Sequence, residues 1–208
     1  MIAVYLEVGA KRVFACASDW PGWCRAGRNE EQALEALRAA APRYAVVAGE
    51  AGLKVPAAEF EVVERLQGSA TTDFGAPGAI PPSDAEPLEP KEAERLTKLV
   101  HAAWTVFDRV AAKAPAELRK GPRGGGRDRD KIVDHVLESE GAYAGRLGLR
   151  LQSPPRTDTA AISEFRAVLA NALRRPPSEA KWPARYGARR IAWHALDHAW
   201  EIEDRTET

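Results

Sequence analysis

A chain of 208 residues permits one large or two small domains. Its 30 Lys+Arg balance its 30 Asp+Glu, so charge gives no reason to expect a protein that wraps nucleic acid or an anionic membrane surface. No apolar run reaches the ~18 residues of a membrane span, and Met-Ile-Ala-Val-Tyr-Leu-Glu-Val lacks a basic region ahead of an apolar stretch and cleavage site, so a cytoplasmic protein is expected.

The first ~67 residues read with period two around one helix. Val4, Leu6 and Val8 alternate with Tyr5 and Glu7, and Val13, Ala15 and Ala17 alternate with Phe14, Cys16 and Ser18. Trp20-Pro21-Gly22-Trp23 is a turn, since Pro presets φ and Gly tolerates positive φ. Cys24 to Gly27 predicts a short third strand. Asn29 offers an N-cap with Gln32 three residues on, and Ala33, Leu34, Leu37 and Ala41 give the helix its apolar stripe, ending near Pro42. Tyr44 to Val47 reads as a strand, and Phe60, Val62 and Val63 as the last one before Gly68. Cys16 and Cys24 are the only cysteines and form no CxxC. They read as free thiols on neighbouring strands in a reducing compartment.

Between Ser69 and Pro90 apolar periodicity disappears, and Pro77, Pro81, Pro82, Pro87 and Pro90 recur among Gly, Ala, Ser and Asp. This predicts a partly extended linker over 69–89. From Lys91 the period becomes helical. Leu96, Leu99, Val100, Ala103, Phe107 and Val110 mark a first helix; Ile132, Val136, Tyr143 and Leu147 a second. Ile162, Phe165, Leu169 and Ala172 mark a third, and Ile191, Ala195, Leu196, Ala199 and Ile202 a fourth. The expected architecture is a small α+β sheet domain over 1–68 followed by an all-α four-helix bundle over 90–208. The stretch Arg119-Lys120-Gly121-Pro122-Arg123-Gly124-Gly125-Gly126-Arg127 has no Walker pattern and no strand before it, and reads as a mobile loop.

Four histidines occur. His194 and His198 stand four apart in the last helix, so their Cβ atoms lie on one face ~5–6 Å apart. Two imidazoles so placed can share a metal ion, and His135, in another helix, can complete a set of three with open positions left on the ion. Spacing alone leaves the rival reading open, a polar pair on a helix surface. Asp197 and Glu201 flank the pair. They either orient an imidazole through its other N–H or pair with Arg189, Arg190 or Arg205. Glu201 as a direct ligand is a further option. His101 points about 100° past Val100 and reads as exposed. Glu138 and Glu140 are candidate bases near His135, and Trp193 and Trp200 are packing residues or a pocket wall. Ala195 after His194 rules out an HExxH protease motif.

Two resemblances extend this reading. Val13-Phe14-Ala15-Cys16-Ala17-Ser18-Asp19-Trp20-Pro21-Gly22-Trp23-Cys24, then Ala26-Gly27 and Glu30-Glu31-Gln32-Ala33-Leu34, resembles the HicB-like domain over about residues 3 to 45. That resemblance implies a ferredoxin-like or partial RNase-H-like sheet, and HicB antitoxins neutralise a small RNA-cleaving partner. Residues 90 to 205 resemble the DinB-like four-helix bundle, a group that includes thiol-dependent transferases and maleylpyruvate isomerases. It implies a divalent metal, Zn, Ni or Fe, held by His135 of Asp134-His135-Val136 and by the pair in His194-Ala195-Leu196-Asp197-His198. The expected function is a metal-dependent transferase or hydrolase acting on a small-molecule substrate, with a low-molecular-weight thiol as co-substrate if sulfur takes part. The appended sheet domain would bind a ligand or protein. The rival expectations are a non-catalytic metal-bound binding module and an antitoxin-like inhibitor of a ribonuclease. No membrane or nucleic-acid partner is expected, and a homodimer is compatible with the sequence.

Overall fold

The structure, a computed structural model, describes residues 1–121 and 125–206. The fold is mixed α and β, with a four-stranded sheet and seven α-helices among the described residues. The strands are β1 (Ile2–Val8), β2 (Val13–Ala17), β3 (Cys24–Gly27) and β4 (Phe60–Gln67). Their order is β3-β2-β1-β4, antiparallel except for the parallel pair β1–β4. That parallel pair requires a crossover, supplied by helices α1 (Glu30–Ala39) and α2 (Ala41–Glu50).

The N-cap expected at Asn29 is present: its side chain accepts from Gln32 N at 2.8 Å. Gln32 reaches back one residue further than a capping box would, accepting from Arg28 N at 3.2 Å. Tyr44 to Val47 is helical, not a strand. Pro42 falls in the first turn of α2, where its missing N–H is harmless, and Tyr44, Val47 and Ala48 are buried at helical spacing. Trp23 stacks on Tyr44 at 4.9 Å between ring centroids and donates to Leu37 O at 2.9 Å. Full burial of a ring this size contributes about 4–6 kcal/mol by area.

Cys16 and Cys24 are directly opposite in the β2–β3 register and form a disulfide, with Cα atoms 4.1 Å apart. The free thiols expected from the sequence are thereby corrected, and the argument from them to a reducing compartment falls. Adjacent-strand placement was read rightly, but direct opposition depends on the Pro21-Gly22 turn register, which composition does not reveal. No helix among the described residues is long and apolar enough to cross a membrane.

The stretch from 69 to 89 is an anchored strap. It contains α3 (Ala70–Phe74), capped by Ser69, and a 3-10 turn over Pro82–Ala85. Two buried carboxylates hold it. Glu7, fully buried on β1, accepts from Thr72 Oγ1 and from the Gly78 and Ala79 N–H groups, the last two at 2.9 Å. Asp84, 3% exposed, pairs with buried Arg189 of the last helix, α7 (Ala184–Thr206).

Four long helices follow: α4 (Pro90–Lys113), α5 (Arg129–Arg146), α6 (Thr159–Arg174) and α7 (Ala184–Thr206). Helix α7 packs against α4, α5 and α6, and α4 also meets α2. Pro122, Arg123 and Gly124 of the glycine-rich stretch lie outside the described residues. Strands β1 and β2 are buried on both faces, while β4 alternates half-buried and exposed residues. On one side Val4, Leu6, Val13 and Ala15 join Trp23, Leu37 and Tyr44; on the other Tyr5, Phe14, Cys16 and Cys24 pack with Trp193 of α7. Gly22 lets the turn sit on α7: its φ is +90°, and a Cβ there would come within 2.5 Å of Leu196 Cδ1.

Candidate metal centre

Helix α7 carries Tyr186, Arg190, His194 and His198 at intervals of four, so they form one slowly turning stripe. Helix α5 faces this stripe with His135 and Tyr143. The two helices come close where Gly187 meets Leu147: a Cβ on Gly187 would lie 2.8 Å from Leu147 Cδ2.

This packing brings together the three histidines singled out in the sequence. His135, His194 and His198 each offer a ring nitrogen, and the three nitrogens all lie within 4.8 Å of one another. Ring centroids are 4.7 Å apart for His194–His198, 5.0 Å for His135–His194 and 5.1 Å for His135–His198. His194 is 7% exposed, and its Nδ1 is buried without a hydrogen-bond partner. An orphaned buried nitrogen costs ~1–3 kcal/mol unless something satisfies it. Burial, then the neighbouring His198 and His135, pushes His194 down to about 2, and burial, with His198 next, also lowers His135. Both therefore stand neutral at pH 7, the form that ligates a metal. The residues present fit a divalent cation.

Glu201 holds His198 in place. Its Oε2 is 2.8 Å from His198 Nδ1, while its Oε1 accepts from Arg205 Nη1 at 2.8 Å. The bond from His198, more than the one from Arg205, keeps its carboxyl below the usual carboxylate range. An ionised acceptor at Nδ1 fixes that tautomer and leaves Nε2 free to ligate. Two of the three sequence readings of Glu201, orienting an imidazole and pairing with Arg205, meet in one side chain. Asp197 turns the other way and accepts from Arg25 of β3 at 2.8 Å. That arginine also lies 3.9 Å above the Trp200 ring, and Trp193 meets Phe14 edge to face. These tryptophans face the sheet.

Glu140 is buried between helices, accepting from Trp104 Nε1 at 2.7 Å and from Arg166 Nε at 3.2 Å. Burial raises its pKa against the pull of Arg166. Glu138 is exposed, as is His101, which packs edge-on against Trp104 rather than joining the triad. The sequence offered Tyr143 only as a residue of an apolar stripe and Arg190 only as a carboxylate partner; the Tyr143 ring centroid is 5.8 Å from that of His194, and Arg190 lies over the Trp193 and Tyr143 rings. The four-residue spacing from His194 back to Arg190 was the signal that could have found the arginine. No family model, curated protein or solved structure matches the chain.

Proposed function

We propose that the protein is a metal-dependent enzyme of the DinB-like kind, in which α4, α5, α6 and α7 form the four-helix bundle and His135, His194 and His198 hold one divalent ion, Zn, Ni or Fe. The observation that carries this reading is the convergence of three ring nitrogens within 4.8 Å around a buried, unpartnered Nδ1. A bound ion would act as a Lewis acid or lower the pKa of a bound water or thiol. Around it, Glu201 orients His198 through Nδ1, buried His194 supplies a neutral ligand, and half-exposed His135 stands on the solvent side. Tyr143 covers His194, and burial raises its pKa, so its phenol stays protonated. The two cysteines are paired on the sheet, so a transferred sulfur would have to come from a small-molecule thiol. Transfer or hydrolysis on a small molecule is the reaction class.

The test is elemental analysis together with turnover and melting temperature, for the parent protein and His194→Ala, with and without added Zn²⁺ or Ni²⁺. About one ion per chain, lost in the variant together with turnover of a thiol–acceptor pair, is expected. Less than about a tenth of an equivalent in the parent, unrestored by added metal, would overturn the reading. A large drop in melting temperature for the variant, with no turnover in the parent, would make the ion structural.

A further inference from the structure

Next to the histidines lies a cavity of about 430 Å³, within the usual ~300–1,000 Å³ of small-molecule pockets. Arg146 of α5 and Arg190 of α7 line it, with the rings of Tyr143, Trp182 and Tyr186. No carboxylate lines it among the described residues, and the Arg190 guanidinium donates to a neutral backbone carbonyl, that of Pro77. Two unneutralised arginines in an aromatic slot form a receptor for a flat anion: the planar fork matches a carboxylate in two parallel bonds, and the rings accept a planar body.

The slot is held in shape before any ligand arrives. The Arg146 carbonyl accepts from Lys181 N at 2.8 Å and Trp182 N at 3.1 Å, which sets Trp182 beside it. Trp182 meets Tyr186 edge to face at 4.8 Å and Tyr143 at 5.3 Å. The strap lines a further side with Thr71 and Gly78, and the slot opens to solvent. The Pro77 carbonyl accepts from Arg190 Nη1, and the Gly78 carbonyl from Tyr186 Oη at 3.3 Å. Tyr143 is shared between the cavity and His194.

We propose that this cavity binds the carboxylate of a small planar organic acid, with Arg146 and Arg190 as its anchors and the strap as its third wall. Resting on the reading of the histidines as the reactive centre, the geometry also orients the ligand. Arg190 and His194 are one four-residue step apart, ~6 Å along α7, and Tyr143, which lines the cavity with its ring 5.8 Å from that of His194, is the side chain the two sites share, so an acid anchored on the arginines would place its far end toward Tyr143. The reacting group is then at the end opposite the carboxylate. The strap is accordingly part of the substrate site and not a tether.

Calorimetric titration with benzoate, and with neutral benzamide as its control, tests this in the full-length protein, both as purified and after chelator treatment. Metal content is measured on each sample. Benzoate is expected to bind and benzamide not. Arg146→Gln and Arg190→Gln should each weaken benzoate at least tenfold while metal content is unchanged. Arg146 is exposed at the end of α5, so its variant carries the test if Arg190→Gln fails to fold. No benzoate binding, equal binding of benzamide, or parent-like affinity in Arg146→Gln would overturn the proposal. So would benzoate binding that disappears on chelation but survives in Arg146→Gln, because the carboxylate would then sit on the ion. Arginine-dependent benzoate binding in a protein that neither holds metal as purified nor takes up added Zn²⁺ or Ni²⁺ would leave the pocket standing and remove the metal reading alone.

Discussion

At His194, burial and charge act in one direction, and the consequence is measurable as pH dependence. In the unfolded chain this imidazole titrates near 6.5, whereas in the fold burial, followed by His198 and His135, holds it down at about 2. Below pH 6.5 the unfolded chain takes up a proton that the folded protein refuses. The stability of the metal-free protein is therefore full above that pH and falls with acidification toward pH 2, by up to about 1.4 kcal/mol per pH unit. Denaturant unfolding at pH 7 and pH 5 should differ by roughly 2 kcal/mol through this residue, and His194→Leu should flatten the slope. An unchanged slope in that variant would assign the acid sensitivity elsewhere. The lowered pKa values of His135 and His194 also move metal release to more acid solution than the ~pH 6 expected for free imidazoles. Glu201 acts through His198. Removing its charge with Glu201→Gln should weaken metal binding about 10–100-fold, read by chelator competition. Unaltered affinity would reduce Glu201 to a partner of Arg205.

Among the elements, the strap depends most on single contacts. Asp84 and Arg189 are both buried and paired, so Asp84→Ala leaves a buried guanidinium without its counter-charge. Breaking such a pair costs about 3–5 kcal/mol. A matching fall in denaturant-unfolding free energy is expected, and a loss under 1 kcal/mol would mean that Arg189 finds enough support at the Ser18 carbonyl. The contrast between strap and helices explains what the sequence disclosed. Helices α4 to α7 and strands β1 to β4 follow apolar periods of 3.6 and 2, which are local, and their existence was readable. The strap is ordered by Glu7 and Asp84, whose partners are 65 and 105 residues away, and no periodicity marks that. Tyr44 to Val47 misled because a four-residue apolar run fits either element. The deciding residue was Pro42, which starts α2 as readily as it ends α1. The three histidines were legible through an i, i+4 pair, a local signal, joined to a bundle resemblance. The arginine cavity was not, because it needs the strap, α5 and α7 together.

For the whole molecule, the question is whether the sheet and the long helices are separable. Turn signals and two hydrophobic periods suggest modules that fold alone, but the buried side chains form a cluster running through both: Val4, Leu6 and Trp23 belong to the same core as Leu96, Phe107 and Leu196. Trp193 of α7 completes the opposite face of the sheet. Polar contacts repeat the pattern, with Arg25 on Asp197, Arg43 on Asp204 and Arg95 on the Asp19 carbonyl. Interfaces between independent domains are commonly more polar than a core and are crossed by few buried apolar groups. Here a fragment of residues 90–208 would expose Trp193, Leu196 and Trp200 to water, at roughly 1.5–3 kcal/mol for each large apolar side chain uncovered. Such a sum is comparable with the ~5–15 kcal/mol that holds a domain together. The isolated 90–208 fragment should therefore melt at least 10 °C below the full chain, or aggregate. Co-expression with residues 1–89 should restore a single transition near the parent temperature. If 90–208 alone unfolds cooperatively within a few degrees of the parent, the shared core contributes little and the helices are a domain in their own right. Metal content of the same fragment locates the coupling. Because His135, His194 and His198 lie on α5 and α7 alone, a folded fragment should take up as much metal as the full chain does even where the strap, and with it the third wall of the arginine cavity, is missing.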